Sequence, residues 1–276
     1  MPAFLAADGT KLHVDEAGEG RTLVVLPGGA GRHPDYLGDL AGLPGHRVTV
    51  HFRGAGNTPA APTTEAGSYW HQAHDLEALR AHLGLEKLAL VAHSAGTRAA
   101  IAYAAQYPDR VASMLLITPP VAYLTDTPSD VEEITAHRVG DPVFDTAMAA
   151  MREGPRDSTQ ETFEAWQALT APATYAAWTE KEQAHAKIGH TLRSTVQAFL
   201  SVAPPDDLRD RLATVTAKVR VIAGAEDAAT GLAPVLAAAG LFPHGEAVVI
   251  DDCGHYPWVE QPESFRRAAD PFVTGP

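Results

Sequence analysis

Three polar side chains with complementary chemistry, Ser94, Asp227 and His255, each come just after an apolar run of strand length. A serine hydroxyl is a weak nucleophile until a base takes its proton, and the base needs an acid that fixes its tautomer. The carboxyl ends of parallel strands meet at one edge of a sheet, so we expect the three side chains to lie together. The pattern predicts nucleophilic catalysis with Ser94 as nucleophile, His255 as base and Asp227 as acid.

The serine lies in the sequence AHSAG at residues 92–96, between a strand pattern and a helical pattern. Small neighbours allow a sharp strand-to-helix turn that lifts the hydroxyl above the sheet. Taken singly, Asp227 could be a loop acid and His255 a surface histidine, but three coincidences at strand ends favour the triad. Glu226 is the second candidate for the acid, because either carboxylate could orient the histidine.

A glycine-rich turn, PGGAG at residues 27–31, follows the apolar run at residues 22–26. Backbone N–H groups in such a turn can stabilise a developing oxyanion. We therefore expect the N–H groups of Gly29 and Ala95 to form an oxyanion hole. The alternative is a phosphate cradle, but the spacing fits neither the dinucleotide-binding glycine pattern nor the lysine-bearing phosphate loop. No nucleotide or other cofactor is predicted.

The elements that must position these residues alternate between strands and helices. An opening hairpin turns at Asp8-Gly9, and helical patterns run from Ser68, as a capping residue, to His82 and from Thr97 to Tyr107. Apolar runs without a polar face are typical of strands covered by helices on both sides, and they occupy residues 22–26, 48–52, 88–92, 114–117, 219–223 and 247–250. This alternation predicts an α/β fold with a doubly wound, mostly parallel sheet.

Residues 121–212 interrupt the alternation with helical spacing and no convincing strand. We interpret them as a helical cap inserted into a core domain of residues 1–120 and 213–276. Such an insertion would cover the strand ends where open α/β sheets bind ligands. The alternative is that the segment pads one face of the sheet.

Composition narrows the choice of partners. The 276 residues carry a formal net charge of −13, which repels phosphate backbones and anionic lipids. The start of the chain lacks the pattern of a signal peptide, and no stretch approaches the roughly 20 apolar residues that span a bilayer. We expect a soluble, cytoplasmic protein that binds a small-molecule substrate and neither nucleic acid nor membrane. The oligomeric state is left open.

Other polar residues receive structural interpretations. His71, His74 and Asp75 lack a further ligand at matching spacing, so no metal site is predicted. Arg53 could bind an anionic group, but an arginine that braces its loop through hydrogen bonds to carbonyl groups explains it as well, and we favour that role. The single cysteine, Cys253, cannot form an internal disulfide and is interpreted as a buried small apolar residue.

The sequence resembles the α/β-hydrolase superfamily over nearly its whole length, at residues 92–96, 224–227 and 254–265. Within the superfamily, residues 27–31 and 52–58 are most similar to the proline-iminopeptidase-like branch. The resemblance implies the α/β-hydrolase fold and the same serine, aspartate and histidine roles.

Four residues depart from the pattern of that branch. Pro27, Ala30, His51 and Ala92 stand where it usually has His, Pro, Asp and Gly. An aminopeptidase must also hold a cationic α-amine, which requires a carboxylate inside the pocket. We expect four acids within residues 121–212 on solvated helix faces instead, and the alternative is that one of them faces the pocket. The four are Glu161, Glu164, Glu180 and Glu182.

The leading expectation is a serine hydrolase that cleaves an ester, lactone, thioester or amide through an acyl-enzyme. The alternatives are an aminopeptidase like the proline iminopeptidases, a non-hydrolytic lyase or cyclase on the same fold, and a binding protein that has lost turnover. An intact Ser94, Asp227 and His255 argues against the binding protein.

Overall fold

The computed structural model describes residues 2–275, which form one eight-stranded sheet with the strand order β1-β2-β4-β3-β5-β6-β7-β8. The strands are β1 (Ala3–Leu5), β2 (Lys11–Ala17), β3 (Thr22–Leu26), β4 (His46–Val50), β5 (Leu88–His93), β6 (Val111–Ile117), β7 (Lys218–Gly224) and β8 (Gly245–Ile250). The first two form the predicted antiparallel hairpin, and β2 also pairs antiparallel with β4. All later pairs are parallel, which confirms the predicted doubly wound, mostly parallel sheet.

Helices cover both faces of this sheet. They are α1 (Gln72–His82), α2 (Gly96–Gln106), α3 (Val131–Ile134), α4 (Pro142–Glu153), α5 (Gln160–Thr170), α6 (Glu180–Ala186), α7 (Arg193–Phe199), α8 (Leu208–Leu212), α9 (Ala233–Ala239), α10 (Pro257–Glu260) and α11 (Pro262–Thr274). Among residues 2–275, no helix combines the length and the apolar character needed to cross a bilayer.

The central strands are apolar throughout because each face packs against its own core. Leu88 and Leu90 of β5 lie in one buried cluster, together with residues of α1, α2 and α9. Ala89 and Val91 point the other way, into a second cluster that includes residues of α11. Alternate side chains of a strand point to opposite faces, so two covered faces require an unbroken apolar run.

The strand at residues 247–250 was expected to be buried on both sides, and this expectation is wrong. It belongs to β8, which forms the edge of the sheet and has only one neighbour, β7. Glu246, Ala247 and Val249 are exposed there, and Ile250 is the one fully buried residue of the strand.

Two predicted boundaries also shift. The strand predicted at residues 48–52 is β4, which starts at His46 and ends at Val50, where its pairing with β2 stops. The Ser68 hydroxyl accepts the His71 N–H at 3.2 Å, as a capping residue does, but it caps a single turn. Helix α1 begins only at Gln72, although the Gln72 N–H donates to the Ser68 carbonyl at 2.9 Å and His71 has helical backbone angles.

The site-bearing turns meet where the strand order reverses. From β3 the chain passes to β4 on one side of the sheet, and β5 then pairs with β3 on the other. Open α/β sheets bind ligands outside the carboxyl ends of such neighbouring strands. The turns after β3 and β5 hold the predicted oxyanion residues and Ser94.

Within the described residues, the chain between β6 and β7 contains helices α3 to α8 and adds no strand to the sheet. Residues from Met151 to Thr191 of this segment form a wall of the cavity that contains Ser94. Arg32, which follows the glycine-rich turn, donates to the carbonyl of Ile188 at 2.9 Å and ties the segment to the sheet. The division into core and cap at residues 121 and 212 stays a prediction.

Candidate active site

Ser94 occupies the tight turn between β5 and α2 with a left-handed φ of 49°. Such a backbone costs a non-glycine residue on the order of 1–3 kcal/mol, so the surroundings must hold it in place. The turn packs tightly against the glycine-rich turn. A Cβ on Gly28 would lie 2.8 Å from the Ser94 Cβ, and one on Gly96 would lie 2.4 Å from the Pro27 carbonyl oxygen. The proline-iminopeptidase-like branch usually has glycine at the position of Ala92. Ala92 lies within β5 and has no positive φ, so the backbone does not require glycine there.

The structure brings the three predicted side chains into a continuous hydrogen-bonded chain. The Ser94 Oγ lies 2.8 Å from His255 Nε2, and His255 Nδ1 lies 2.8 Å from Asp227 Oδ2. The Asp227 residue is only 1% exposed. A carboxylate at Nδ1 keeps the proton on that nitrogen, which leaves Nε2 free to accept the serine proton. The arrangement can therefore generate a serine nucleophile.

The two candidate acids have different partners. The Asp227 carboxylate also accepts the Ala229 N–H at 2.9 Å and the Thr230 hydroxyl at 2.6 Å. Glu226 pairs instead with His137, at 3.0 Å from its Nε2. The geometry favours Asp227 over Glu226 as the partner of His255.

The main chain of His255 is fixed from several sides. Its N–H donates to the Thr174 carbonyl at 2.8 Å, and its own carbonyl accepts the Thr118 hydroxyl at 3.1 Å. The His93 ring adds a third bond, with Nε2 at 3.0 Å from the His255 carbonyl oxygen. Because both ends of this peptide are bonded, the imidazole is held towards Ser94.

A buried chain of neutral groups, which was not predicted, supports these contacts. The Gly28 N–H donates to the Tyr36 hydroxyl at 2.5 Å, and that hydroxyl donates to His93 Nδ1 at 2.8 Å. Burial holds the pKa of His93 well below its usual value and raises the pKa of Tyr36. The two side chains therefore stay uncharged and link the glycine-rich turn to the His255 loop. No sequence signal connects Tyr36 with residues so far along the chain.

The predicted oxyanion donors are available for bonding. Gly29 has a left-handed φ of 67°, is exposed and lines the cavity beside Ser94. Among residues 2–275, neither its N–H nor that of Ala95 donates to a protein acceptor, whereas the Gly28 N–H is occupied by Tyr36. The structure thus leaves two backbone donors free on the turns that flank the nucleophile. Their joint action as an oxyanion hole stays a prediction.

A cavity of about 670 Å³ opens over Ser94 and His255. Its volume lies within the usual range for small-molecule sites. Aromatic side chains form much of its wall: Tyr36, Trp166, Tyr175, Trp178 and Tyr256. The cavity can therefore take a substrate with an apolar or aromatic body.

The charged residues of the cavity only partly follow the sequence predictions. Glu164 lines the cavity, and its carboxylate lies 3.5 Å from His190 Nδ1. Glu182 was expected on a solvated face, but it is buried because it caps α6 through Thr179. The other three acids of this group are exposed, as expected, and are Glu161, Glu164 and Glu180.

The remaining polar residues have structural partners. Arg53 bonds the carboxylates of Asp75, at 2.6 and 2.8 Å, and of Asp8, at 2.8 Å. It therefore braces the loop as predicted, although through carboxylates and not through carbonyls. Cys253 is fully buried and burial raises its pKa, which confirms its interpretation as an apolar residue. The His74 Nδ1 is hydrogen-bonded to the Tyr107 hydroxyl at 2.7 Å.

The fold and this site define a class of protein that the comparisons with known proteins identify. Residues 21–262 match the family with the α/β hydrolase fold, and the chain belongs to that family. This confirms the resemblance found in the sequence.

Particular relatives differ in the bond that they cleave. The chain is 24% identical over 270 residues to a 2-hydroxy-6-oxo-6-phenylhexa-2,4-dienoate hydrolase of Comamonas testosteroni, with 95% of this chain and 91% of that protein covered. It is 38% identical over 94 residues to a proline iminopeptidase of Saccharolobus solfataricus, which covers 33% of this chain and 30% of the relative.

A solved esterase from Rhodococcus sp. ECU1013 has a TM-score of 0.77 at 20% identity and covers 99% of this chain and 98% of its own. At this identity the likeness concerns the fold. The relatives together support a hydrolase and do not specify the substrate.

Proposed function

We propose that the protein is a serine hydrolase that cleaves an ester, lactone, thioester or amide of a small molecule through an acyl-enzyme. The observation that carries the proposal is the hydrogen-bonded chain of Ser94, His255 and Asp227, with both distances at 2.8 Å. These are the distances at which a base can take the proton of a nucleophile.

The reaction follows from the positions of these groups. The Ser94 Oγ attacks the substrate carbonyl carbon while its proton moves to His255 Nε2, and Asp227 stabilises the resulting imidazolium. The N–H groups of Gly29 and Ala95 donate to the oxyanion of the tetrahedral intermediate. The imidazolium then protonates the leaving group. A water molecule, deprotonated by His255, cleaves the acyl-enzyme to release the acid and restore the Ser94 hydroxyl.

The position of the segment between β6 and β7 supports its interpretation as the cap that selects the substrate. Its residues Trp166, Tyr175 and Trp178 line the cavity opposite the sheet, and apolar walls favour an apolar acyl or leaving group. We therefore assign residues 121–212 as the cap and expect its aromatic side chains to set chain-length preference.

The charges of the cavity argue against the aminopeptidase. Glu164 is its one carboxylate among the described lining residues, and it already contacts His190 and, at 2.8 Å, the Gln160 amide. Arg32 and Lys187 also line the cavity. A cationic α-amine would meet more positive than negative charge there, so neutral esters fit better.

A carbon–carbon bond hydrolase is the second candidate. The Comamonas relative is named for a dienoate, which carries a carboxylate, and it matches 95% of this chain. Lys187 has no carboxylate within 4 Å in the described part of the chain and could pair with such a group. The guanidinium of Arg32 bonds the Ile188 carbonyl and the Tyr256 hydroxyl, so Arg32 contributes its charge but already has partners. A non-hydrolytic lyase or cyclase would use the same side chains for proton transfer alone and would form no acyl-enzyme.

A substrate panel tests the proposal. The panel consists of p-nitrophenyl esters, aminoacyl-naphthylamides and 2-hydroxy-6-oxo-6-phenylhexa-2,4-dienoate, and each is measured with wild type and Ser94→Ala. Ester hydrolysis that depends on Ser94 supports the proposal. Turnover of the dienoate alone would favour the second candidate, and ester hydrolysis that survives in Ser94→Ala would reject the mechanism.

A further inference from the structure

A single buried carboxylate, that of Glu260, accepts three backbone N–H groups around the histidine loop. Its Oε2 accepts Gly254 at 3.0 Å and Ala176 at 2.7 Å, and its Oε1 accepts Tyr256 at 3.1 Å. Gly254 and Tyr256 are the two neighbours of His255. Ala176 belongs to the segment between β6 and β7. One side chain therefore holds the main chain on both sides of His255 and joins it to the wall of the cavity.

The strength of these three hydrogen bonds depends on the negative charge of the Glu260 carboxylate. Three N–H donors converge on its two oxygens, and an ionised carboxylate can only accept hydrogen bonds. A protonated Glu260 carries an O–H on one oxygen, and this O–H would face a backbone N–H that needs an acceptor. The bonds to the backbone are then weakened because they lose the charge of their acceptor, and the loop that carries His255 loses part of its support.

The surroundings of Glu260 place its ionisation in the neutral range. Burial and, to a smaller extent, the charge of Asp227 raise its pKa to about 7, against the lowering effect of the three N–H bonds. Lys181 donates to the Glu260 main-chain carbonyl at 3.4 Å and pairs with Glu182, and does not contact the carboxylate. Arg138 donates to the backbone carbonyls of Pro172 and Tyr175 and makes no hydrogen bond to the Glu260 carboxylate. The uncharged groups that face Glu260 are Cys253, Tyr175 and Tyr256.

We propose that Glu260 is a positioning residue, whose negative charge keeps His255 aligned between Ser94 and Asp227 and thereby sets the pH range of activity. This inference rests on the proposed function, because it concerns the base of that reaction. Glu260 does not touch the substrate. It acts through the peptide groups of Gly254 and Tyr256.

The predicted pH dependence has a definite sign. His255 must be neutral to accept the Ser94 proton, and Glu260 must be ionised to hold the loop, so both groups must lose a proton for activity. A plot of log kcat/KM against pH should therefore rise on its acidic side with a slope that exceeds 1 and approaches 2 over about one to two pH units, the interval in which both groups titrate. With Glu260 replaced by an uncharged residue, the slope should fall to about 1, because the ionisation of His255 alone remains.

The test compares Glu260→Gln with Glu263→Gln, a matched change at a neighbouring glutamate whose side chain is 93% exposed. Glutamine keeps the shape of Glu260, but its amide N–H₂ cannot accept the backbone donors. We expect kcat to fall about 10- to 100-fold with little change in KM, since a small misplacement of a catalytic group lowers the rate by this order. Glu263→Gln should behave as wild type in kcat, KM and slope.

Unchanged kcat and slope in a folded Glu260→Gln variant would overturn the inference. If this variant does not fold, the wild-type profile decides: a slope that never exceeds 1 between pH 8 and pH 5 contradicts the role of Glu260, and a slope clearly above 1 within this range supports it. The proposed function is tested separately: ester hydrolysis that survives in Ser94→Ala would reject the serine mechanism whatever the result for Glu260→Gln.

Discussion

His93 and His255 lie side by side, with ring centroids 4.9 Å apart and His93 Nε2 at 3.0 Å from the His255 carbonyl oxygen. The residue before the candidate nucleophile therefore supports the main chain of the candidate base. Because a carbonyl only accepts, the Nε2 of His93 carries the proton, and its Nδ1 must accept from Tyr36. This fixed tautomer couples the serine turn, the glycine-rich turn and the histidine loop.

Removal of the Tyr36 hydroxyl should weaken both the fold and the site. Tyr36→Phe leaves the buried Gly28 N–H and His93 Nδ1 without their partner, which costs about 1–3 kcal/mol of unfolding free energy. Urea unfolding with kinetics on the same samples measures this, and kcat should fall together with stability. Tyr107→Phe, whose hydroxyl bonds the exposed His74, is the control, and an equal effect of both changes would contradict the role of Tyr36.

The assignment of the acid can be tested with two variants in which a carboxylate is replaced by the corresponding amide. Asp227→Asn should lower kcat by roughly 10⁴-fold, because asparagine no longer fixes the tautomer of the base. Glu226→Gln should stay close to wild type, since Glu226 pairs with His137 and not with His255. Steady-state kinetics on one p-nitrophenyl ester are sufficient. Full activity in Asp227→Asn together with loss in Glu226→Gln would move the acid by one residue.

Sequence patterns predicted the mostly parallel sheet and the proximity of the three candidate side chains. Ser94, Asp227 and His255 each come after an apolar run that forms part of a strand, and parallel strands bring such ends together. The order of elements alone therefore predicts their proximity. The boundary at Ser68 failed because a capping hydroxyl looks the same before one turn as before a whole helix.

The supporting contacts could not be predicted in this way. Tyr36, His93 and Glu260 act through bonds to backbone N–H and carbonyl groups, and backbone groups leave no trace in residue types. Burial of Glu182 escaped prediction for a related reason, since its capping role depends on where α6 begins. Which side chains of the helical segment face the cavity depends on how short helices pack, and their periodicity does not determine this.

The charges of the cavity predict which class of substrate the protein prefers. We expect kcat/KM for neutral esters to exceed that for prolyl naphthylamide. Removal of the carboxylate in Glu164→Gln should leave ester hydrolysis near wild type, as should the exposed control Glu161→Gln. A clear preference for an unblocked N-terminal proline that disappears in Glu164→Gln would instead establish an aminopeptidase.

Stability should depend on two buried groups with opposite pH effects. The pKa of His185 is lowered to about 4 by burial, so His185 costs stability as the pH falls from its ordinary value of 6.5 towards 4. The pKa of Glu260 is raised to about 7 from 4.5, so the folded state binds this proton more tightly and gains stability as the pH falls through the same range. The two contributions largely cancel in the wild type.

Replacement of Glu260 should leave the pH dependence of stability that His185 causes without its opposing contribution. Between pH 7 and pH 5, Glu260→Gln should lose on the order of 2 kcal/mol more unfolding free energy than the wild type. Urea unfolding at the two pH values measures the difference, with Glu263→Gln as the matched control. An equal pH dependence in Glu260→Gln and wild type would contradict the raised pKa of Glu260.

The most direct test of the account is covalent labelling of the nucleophile. Incubation with a fluorophosphonate, followed by intact mass measurement and peptide mapping, should give one adduct on Ser94. Ser94→Ala should abolish the adduct and lower kcat by roughly 10⁴-fold or more without loss of folding, and the surface change Ser201→Ala should alter neither. A wild-type protein that stays unlabelled while it hydrolyses esters, or a Ser94→Ala variant that keeps its activity, would contradict the serine mechanism.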